Sequence, residues 1–213
     1  MSGPPSLGAP PFSRVPRAAP GMRIGLYGGS FNPAHAGHRH VSLLALKHLQ
    51  LDRLWWMVTP GNPLKDTNGL PSTRERVAQA RAVAAHPRIQ VTALEEAIGT
   101  RYTVDTIAYL TRRFPGVRFV WLMGADNLAS FHRWRGWRTI ASLVPIAVID
   151  RPGWTLKAMR GRAALALAPF RHPASAAPIL ADTDPPAWLF LHGPRSSLSS
   201  SELRRKARTF SSG

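Results

Sequence analysis

Gly28-Gly29-Ser30-Phe31-Asn32-Pro33-Ala34-His35-Ala36-Gly37-His38 is the stretch on which the reading of this 213-residue chain turns. It follows Met22-Arg23-Ile24-Gly25-Leu26-Tyr27, an apolar run of strand length. It precedes residues 41–49, where Val41, Leu44, Ala45 and Leu49 keep helical spacing. The order is therefore strand, glycine turn, helix. Glycines without Cβ let a backbone approach a ligand closely, and an opening helix aims free N–H groups and a positive dipole end at whatever sits there. An anion, and a phosphate in particular, suits that place. His35 and His38 fall where the loop becomes the helix, so both imidazoles can face one phosphate.

Working outward, the same alternation recurs. Residues 54–59 (Leu-Trp-Trp-Met-Val-Thr) form a second strand and 60–66 a rigid loop. Ser72 with Glu75 makes a capping box opening a helix to about Ala85. Residues 89–92 are a third strand, and Thr103 caps a helix that ends at Phe114-Pro115-Gly116. The nearly unbroken apolar run 117–123 is a central strand leading into Gly124-Ala125-Asp126 and a helical stretch to about Leu143. Residues 146–149 and 188–191 are two further strands, residues 157–186 have no clear pattern, and Ser199 opens a basic terminal helix. Strands alternating with helices imply right-handed crossovers, hence an α/β fold. The expectation is a doubly wound, mostly parallel, Rossmann-like sheet with helices on both faces, plus a C-terminal helical segment. Ligands of such sheets bind at the carboxyl ends of the strands, where all these motif-bearing loops lie.

Composition narrows the function classes. Zero cysteines exclude a disulfide scaffold and a Cys-ligated metal centre. No run reaches the ~20 apolar residues of a membrane helix, so no membrane partner and a cytoplasmic enzyme are expected. Residues 1–21, with six prolines, read as a flexible extension, and residues 22–213 as one domain. The 28 Lys+Arg against 11 Asp+Glu, formally +17, invite a nucleic-acid reading, but no zinc-finger or RNA-recognition spacing accompanies the charge. Polyanionic small substrates also require a basic cleft. G-x-x-x-x-G-K-[S/T], G-x-G-x-x-G after the first strand and H-E-x-x-H are all missing.

The residue 28–38 pattern resembles the G-G-x-F-[D/N]-P-x-H-x-G-H signature of the nucleotidyltransferase superfamily, with Asn32 where Asp is common. Leu198-Ser199-Ser200-Ser201-Glu202-Leu203-Arg204 resembles the I-S-S-T-x-I-R signature that closes the same site. Between them, residues 59–65, Tyr102-Thr103-Val104-Asp105-Thr106, and Gly124-Ala125-Asp126 followed by Trp134 are similar to the bacterial nicotinate-nucleotide adenylyltransferase family. The likeness spans about residues 22–208.

That resemblance implies adenylyl transfer from ATP to nicotinate mononucleotide, giving nicotinate adenine dinucleotide and pyrophosphate in NAD biosynthesis. His35, His38 and Arg204 are then the catalytic residues, with Gly28, Gly29, Ser30, Phe31, Gly124, Asp126, Arg151, Ser199, Ser200 and Ser201 joining them around ATP. Asn32, Lys65, Tyr102, Thr103 and Trp134 would meet the pyridine nucleotide: the Thr103 N–H its carboxylate, and Trp134 its ring. Core packing is the lesser alternative for Trp134, a solvated lysine is the alternative for Lys65, and a helix cap that for Asp126. Mg²⁺ would be held by ATP phosphates and water. A sibling enzyme using nicotinamide mononucleotide or another phosphorylated acceptor, and a basic nucleic-acid-binding protein, are the alternatives. Oligomeric state is open at this level.

Overall fold

The computed structural model describes residues 10–61, 70–150 and 153–192. Among them, seven strands form one parallel sheet: β1 (Arg23–Gly29), β2 (Arg53–Val58), β3 (Ile89–Thr92), β4 (Arg118–Gly124), β5 (Ile146–Ile149), β6 (Arg171–His172) and β7 (Trp188–Leu191). The order is β3-β2-β1-β4-β5-β7-β6, every neighbouring pair parallel. The chain reverses its direction of growth between β1 and β4, and a crevice opens outside the carboxyl ends of those two strands.

Both faces of the sheet are covered, which the side-chain alternation of a strand requires here. Trp55 and Trp56 are adjacent and fully buried, yet they point into different cores. Trp56, with Leu54, Val58, Val120 and Leu122, faces α1 (Ala36–His48) and α2 (Thr73–Ala84). Trp55, with Ile24, Leu26, Phe119 and Trp121, faces a second set. These are α3 (Leu94–Ile98), α4 (Thr103–Arg113), α5 (Ala125–Ser130), α6 (Trp137–Leu143), α7 (Thr155–Met159) and α8 (Arg162–Ala166). The expected α/β class and double winding are what the molecule has. The expected C-terminal helical segment lies outside the described residues.

Four local expectations change. Gly28 and Gly29 are the last residues of β1, paired in register with Met57 and Val58, and not part of the turn. The turn belongs to Phe31, whose φ of 46° lies in the left-handed region. The helix expected to run to Leu143 breaks after Ser130 into a 3-10 turn, Phe131–Arg133, and restarts at Trp137. Gly136 makes that break possible: its φ is 62°, and a Cβ there would lie 3.0 Å from Val104 Cγ2. Tyr102, not Thr103, is the N-cap of α4, and no side chain caps it. Residues 157–186, patternless in sequence, are α7, α8, β6 and 3-10 turns, the longest Ala174–Asp182. Such short pieces show no sustained period; buried alanines such as Ala163 and Ala177 let them lie close to the sheet.

The stretch expected to be flexible as far as residue 21 is held to the domain over residues 10–21. Ser13 is 1% exposed, Ala93 N–H donates to Phe12 O (2.9 Å), and Thr92 Oγ1 donates to Arg14 O (2.7 Å). Phe12, Val15 and Ala18 pack on the two cores. A few apolar side chains among the prolines supply enough burial to order this part, because proline loses little conformational entropy on folding.

Candidate active site

The β1–α1 connection is built by the two histidines. His35 is the N-cap of α1: its Nδ1 accepts from Gly37 N–H (3.1 Å), while His38 Nδ1 accepts from His35 N–H (3.2 Å). This is a capping box made of imidazoles instead of Ser and Glu. Acceptance at Nδ1 leaves the proton of each neutral ring on Nε2, so each ring presents an N–H donor from its other nitrogen. The rings lie 3.9 Å apart, 6% and 8% exposed. Below them, His38 rests 4.9 Å from the Phe31 ring, which stacks on Trp56 at 4.8 Å and 15°. Ser42 Oγ ties this floor together, donating to His38 O (2.8 Å) and accepting from Trp56 Nε1 (2.7 Å).

At the strand end from which this connection leaves is a cavity of about 270 Å³. Its walls come from four places: Gly28 and Gly29 at the end of β1 with Ser30; Thr59 and Gly61 after β2; Glu95 of α3 with Arg101, Tyr102 and Thr103 at the start of α4; and Trp121 of β4 with Arg133, Trp134 and Arg135. Gly28 is small because Trp121 lies on it: a Cβ at Gly28 would sit 2.7 Å from Trp121 Cη2. Trp134 meets Trp121 edge-on at 6.2 Å and Phe131 at 5.5 Å, so it is both anchored in the core and exposed to the cavity.

Of the sequence-predicted residues, Gly28, Gly29, Ser30, Tyr102, Thr103 and Trp134 line this cavity together. His35 and His38, which end the connection that starts at Ser30, are not among its lining, and neither are Asn32, Gly124 and Asp126. Phe31, expected beside ATP, is 1% exposed with its ring in the core; its part in the site is to support the turn. Lys65, Arg151, Ser199, Ser200, Ser201 and Arg204 lie outside the described residues.

Two residues central to the site escaped the sequence reading. Arg76, on α2 and 1% exposed, donates from Nη1 to Ser30 O (2.8 Å) and Thr59 O (2.7 Å). Its Nη2 donates to Pro60 O (3.2 Å) and Thr73 Oγ1 (3.1 Å), and its Nε to Pro71 O (2.9 Å). One guanidinium thus joins the loops leaving β1 and β2. Burial pushes its pKa below the usual arginine value, with the Glu96 charge acting in the opposite direction. The available signal was an arginine on the same helix face as Val77, Ala80 and Ala84, where a solvated side chain does not belong.

Glu95 is the second. It is 4% exposed, and burial raises its carboxyl to about 7 even though Thr106 Oγ1 donates to its Oε1 (3.1 Å). The Thr106 hydroxyl also meets Thr100 Oγ1 at 2.9 Å, so Glu95 braces the loop 99–102 that precedes α4. Among the described residues lining the cavity it is the sole acid, against Arg101, Arg133 and Arg135.

The cytidylyltransferase-like family matches residues 26–206. A protein of Methylorubrum extorquens is 63% identical over 87% of this chain and 100% of its own length. One from a Bradyrhizobium species is 61% identical over 86% of this chain and 95% of its own. Both carry the name "Probable nicotinate-nucleotide adenylyltransferase". In fold, the chain is similar to Plasmodium falciparum nicotinic acid mononucleotide adenylyltransferase complexed with NaAD. The TM-score is 0.65 at 17% identity, covering 86% of this chain and 83% of that one. With its imidazole-capped turn, aromatic cavity and switch-point crevice, the chain belongs to the cytidylyltransferase-like family and, within it, to the nicotinate-nucleotide adenylyltransferases.

Proposed function

We propose that this protein joins ATP and nicotinate mononucleotide at the carboxyl ends of β1, β2 and β4, with the pyridine nucleotide in the cavity and the ATP α-phosphate over the α1 turn. The observation that carries the reading is the imidazole capping box: it sets two Nε2–H groups at one helix start, on the connection whose first residue, Ser30, lines a cavity of aromatic and cationic side chains. The 5′-phosphate oxygen of nicotinate mononucleotide attacks the α-phosphorus of ATP, the bond to the bridging oxygen breaks, and pyrophosphate leaves. The attacking oxygen is already anionic, so no general base is needed. Catalysis rests on position and on charge stabilisation. His38 and His35 donate to the α-phosphate and bridging oxygens as negative charge develops there. Tyr102, Thr103 and Trp134 receive the nicotinate, its flat ring against the indole and its carboxylate toward the start of α4.

Among the described residues no three His, Asp or Glu side chains come together as a cation cage. Mg²⁺ brought by ATP would be held by phosphate oxygens and water, and would supply positive charge for the pyrophosphate leaving group. Among the described residues no helix is long and apolar enough to cross a membrane. We place the enzyme in the cytoplasm because its substrates are nucleotides of that compartment.

The test is pyrophosphate release from Mg²⁺–ATP with nicotinate mononucleotide, nicotinamide mononucleotide and phosphopantetheine compared as acceptors. A marked preference for the nicotinate form supports the reading. Preference for another acceptor would leave the chemistry at the histidines and discard the acceptor assignment. No release with any of the three would defeat both.

A further inference from the structure

The pyridine ring and the ribose phosphate are shared by the acid and the amide forms of the acceptor, so discrimination must come from what meets the carboxylate. Three guanidinium-bearing residues, Arg101, Arg133 and Arg135, line the cavity, and Arg135 is the one whose charge has a fixed seat: its Cζ lies 4.6 Å from the centre of the Tyr102 ring. Tyr102 is itself in the cavity wall, immediately before Thr103 and α4. Stacking on an aromatic face removes much of the rotational freedom of a long side chain and leaves the edge of the guanidinium free to fork onto a carboxylate. The residue between Arg133 and Arg135 is Trp134, so the charge and the stacking surface are delivered by the same three-residue segment, held by the break at Gly136. Glu95, the acid in this wall, is buried and bound to Thr106.

We infer that Arg135 is a specificity-determining residue: seated on Tyr102, its guanidinium reads the pyridine carboxylate of the acceptor, so that acid is separated from amide by charge. The inference rests on the proposed reaction and names the side chain that sets its acceptor. Because Arg135 is exposed, solvent screens the pair and the effect is moderate.

The experiment measures kcat and KM of the full-length protein for nicotinate and nicotinamide mononucleotides in wild type, Arg135→Gln, Arg135→Lys and Arg138→Gln. Arg138, whose guanidinium lies 4.4 Å over Trp137 and which is not among the cavity residues, is the matched control. Wild-type turnover is read first: failure with both acceptors sinks the reaction itself, independently of any variant. With the reaction established, Arg135→Gln is expected to raise KM for the nicotinate form about tenfold, with kcat and the nicotinamide constants within about twofold of wild type. Arg135→Lys should recover part of the acid-to-amide ratio, and raising salt should erode that ratio in wild type more than in Arg135→Gln. Arg138→Gln should change neither. An unchanged ratio in Arg135→Gln, or an equal loss for both acceptors, overturns the inference, because the residue would then hold the loop or read a group the two acceptors share.

Discussion

The wall of the site that carries the histidines and the wall that carries the arginines are made in opposite ways. At the α1 turn the polar groups are committed: two imidazoles cap the helix and each other, Ser42 ties His38 to Trp56, and Arg76 clamps the adjoining loops. His35 and His38 are nearly buried. At the acceptor wall Arg101, Arg133 and Arg135 are exposed; Arg135 stacks on Tyr102, and Arg133 ends the 3-10 turn at the helix break. Rigid donors suit charge that develops in a transition state, since they need not reorganise when it appears. Exposed cations on a short loop suit attraction and selection of an anionic substrate, an effect that salt weakens. In the proposed reaction the two walls divide turnover from choice of acceptor.

The comparison breaks most visibly at Arg76. Arg76→Met keeps the bulk of the side chain but leaves the carbonyls of Ser30, Thr59, Pro60 and Pro71 without their donor. A loss of about 4 kcal/mol in unfolding free energy is expected by denaturant titration, with Arg76→Lys intermediate. An effect under about 1 kcal/mol would mean that the loops are held by something else.

His38→Ala, which the wall comparison makes a turnover mutation, should lower kcat about 100- to 1,000-fold while acceptor KM changes little. Steady-state kinetics on protein with a wild-type circular dichroism spectrum checks this. Near-normal turnover in such a protein would remove His38 from the chemistry.

Glu95 gives a pH test. Its folded carboxyl, raised to about 7 from 4.5, holds its proton more tightly than the unfolded chain does. Its ionisation therefore costs no stability below the unfolded value, and the cost grows as pH rises from there through about 7. Glu95→Gln keeps an acceptor for Thr106 and removes the charge, so the variant should gain up to about 3 kcal/mol relative to wild type at pH 8 and nothing near pH 4. Thermal melts across that range measure it; parallel curves for the two proteins would contradict the raised value.

Gly28→Ala sharpens the boundary between the walls with the smallest expected effect. Its methyl group must displace the Trp121 ring, at a cost of about 2 kcal/mol, and Trp121→Phe should recover part of that loss. Independent, additive effects in the double-mutant cycle would show that the ring yields without help.

Legibility in the sequence followed the range of the interactions concerned. The Ser72–Glu75 capping box was readable because its partners are three residues apart, and so was the pairing of His35 with His38. Strands β2 to β5 and β7 were readable from short runs rich in apolar and β-branched residues, each within a residue of its observed limits. The helix break at residues 131–136 was missed because Gly136 is demanded by Val104, thirty-two positions earlier. Trp134, read from the sequence as a ring-stacking residue with core packing as the alternative, lines the cavity and is also held edge-on by Trp121 and Phe131.

From the sequence alone came the parallel sheet, its two covered faces and the histidine pair at a helix start, since these depend on periodicity and on partners within one turn of chain. Tertiary structure alone decided that Glu95, Tyr102, Trp121 and Arg135 share a cavity and that Arg76 joins the loops of β1 and β2. Those contacts link segments far apart in the chain. No local pattern records them, because they exist only once the crossovers have brought the strand ends side by side.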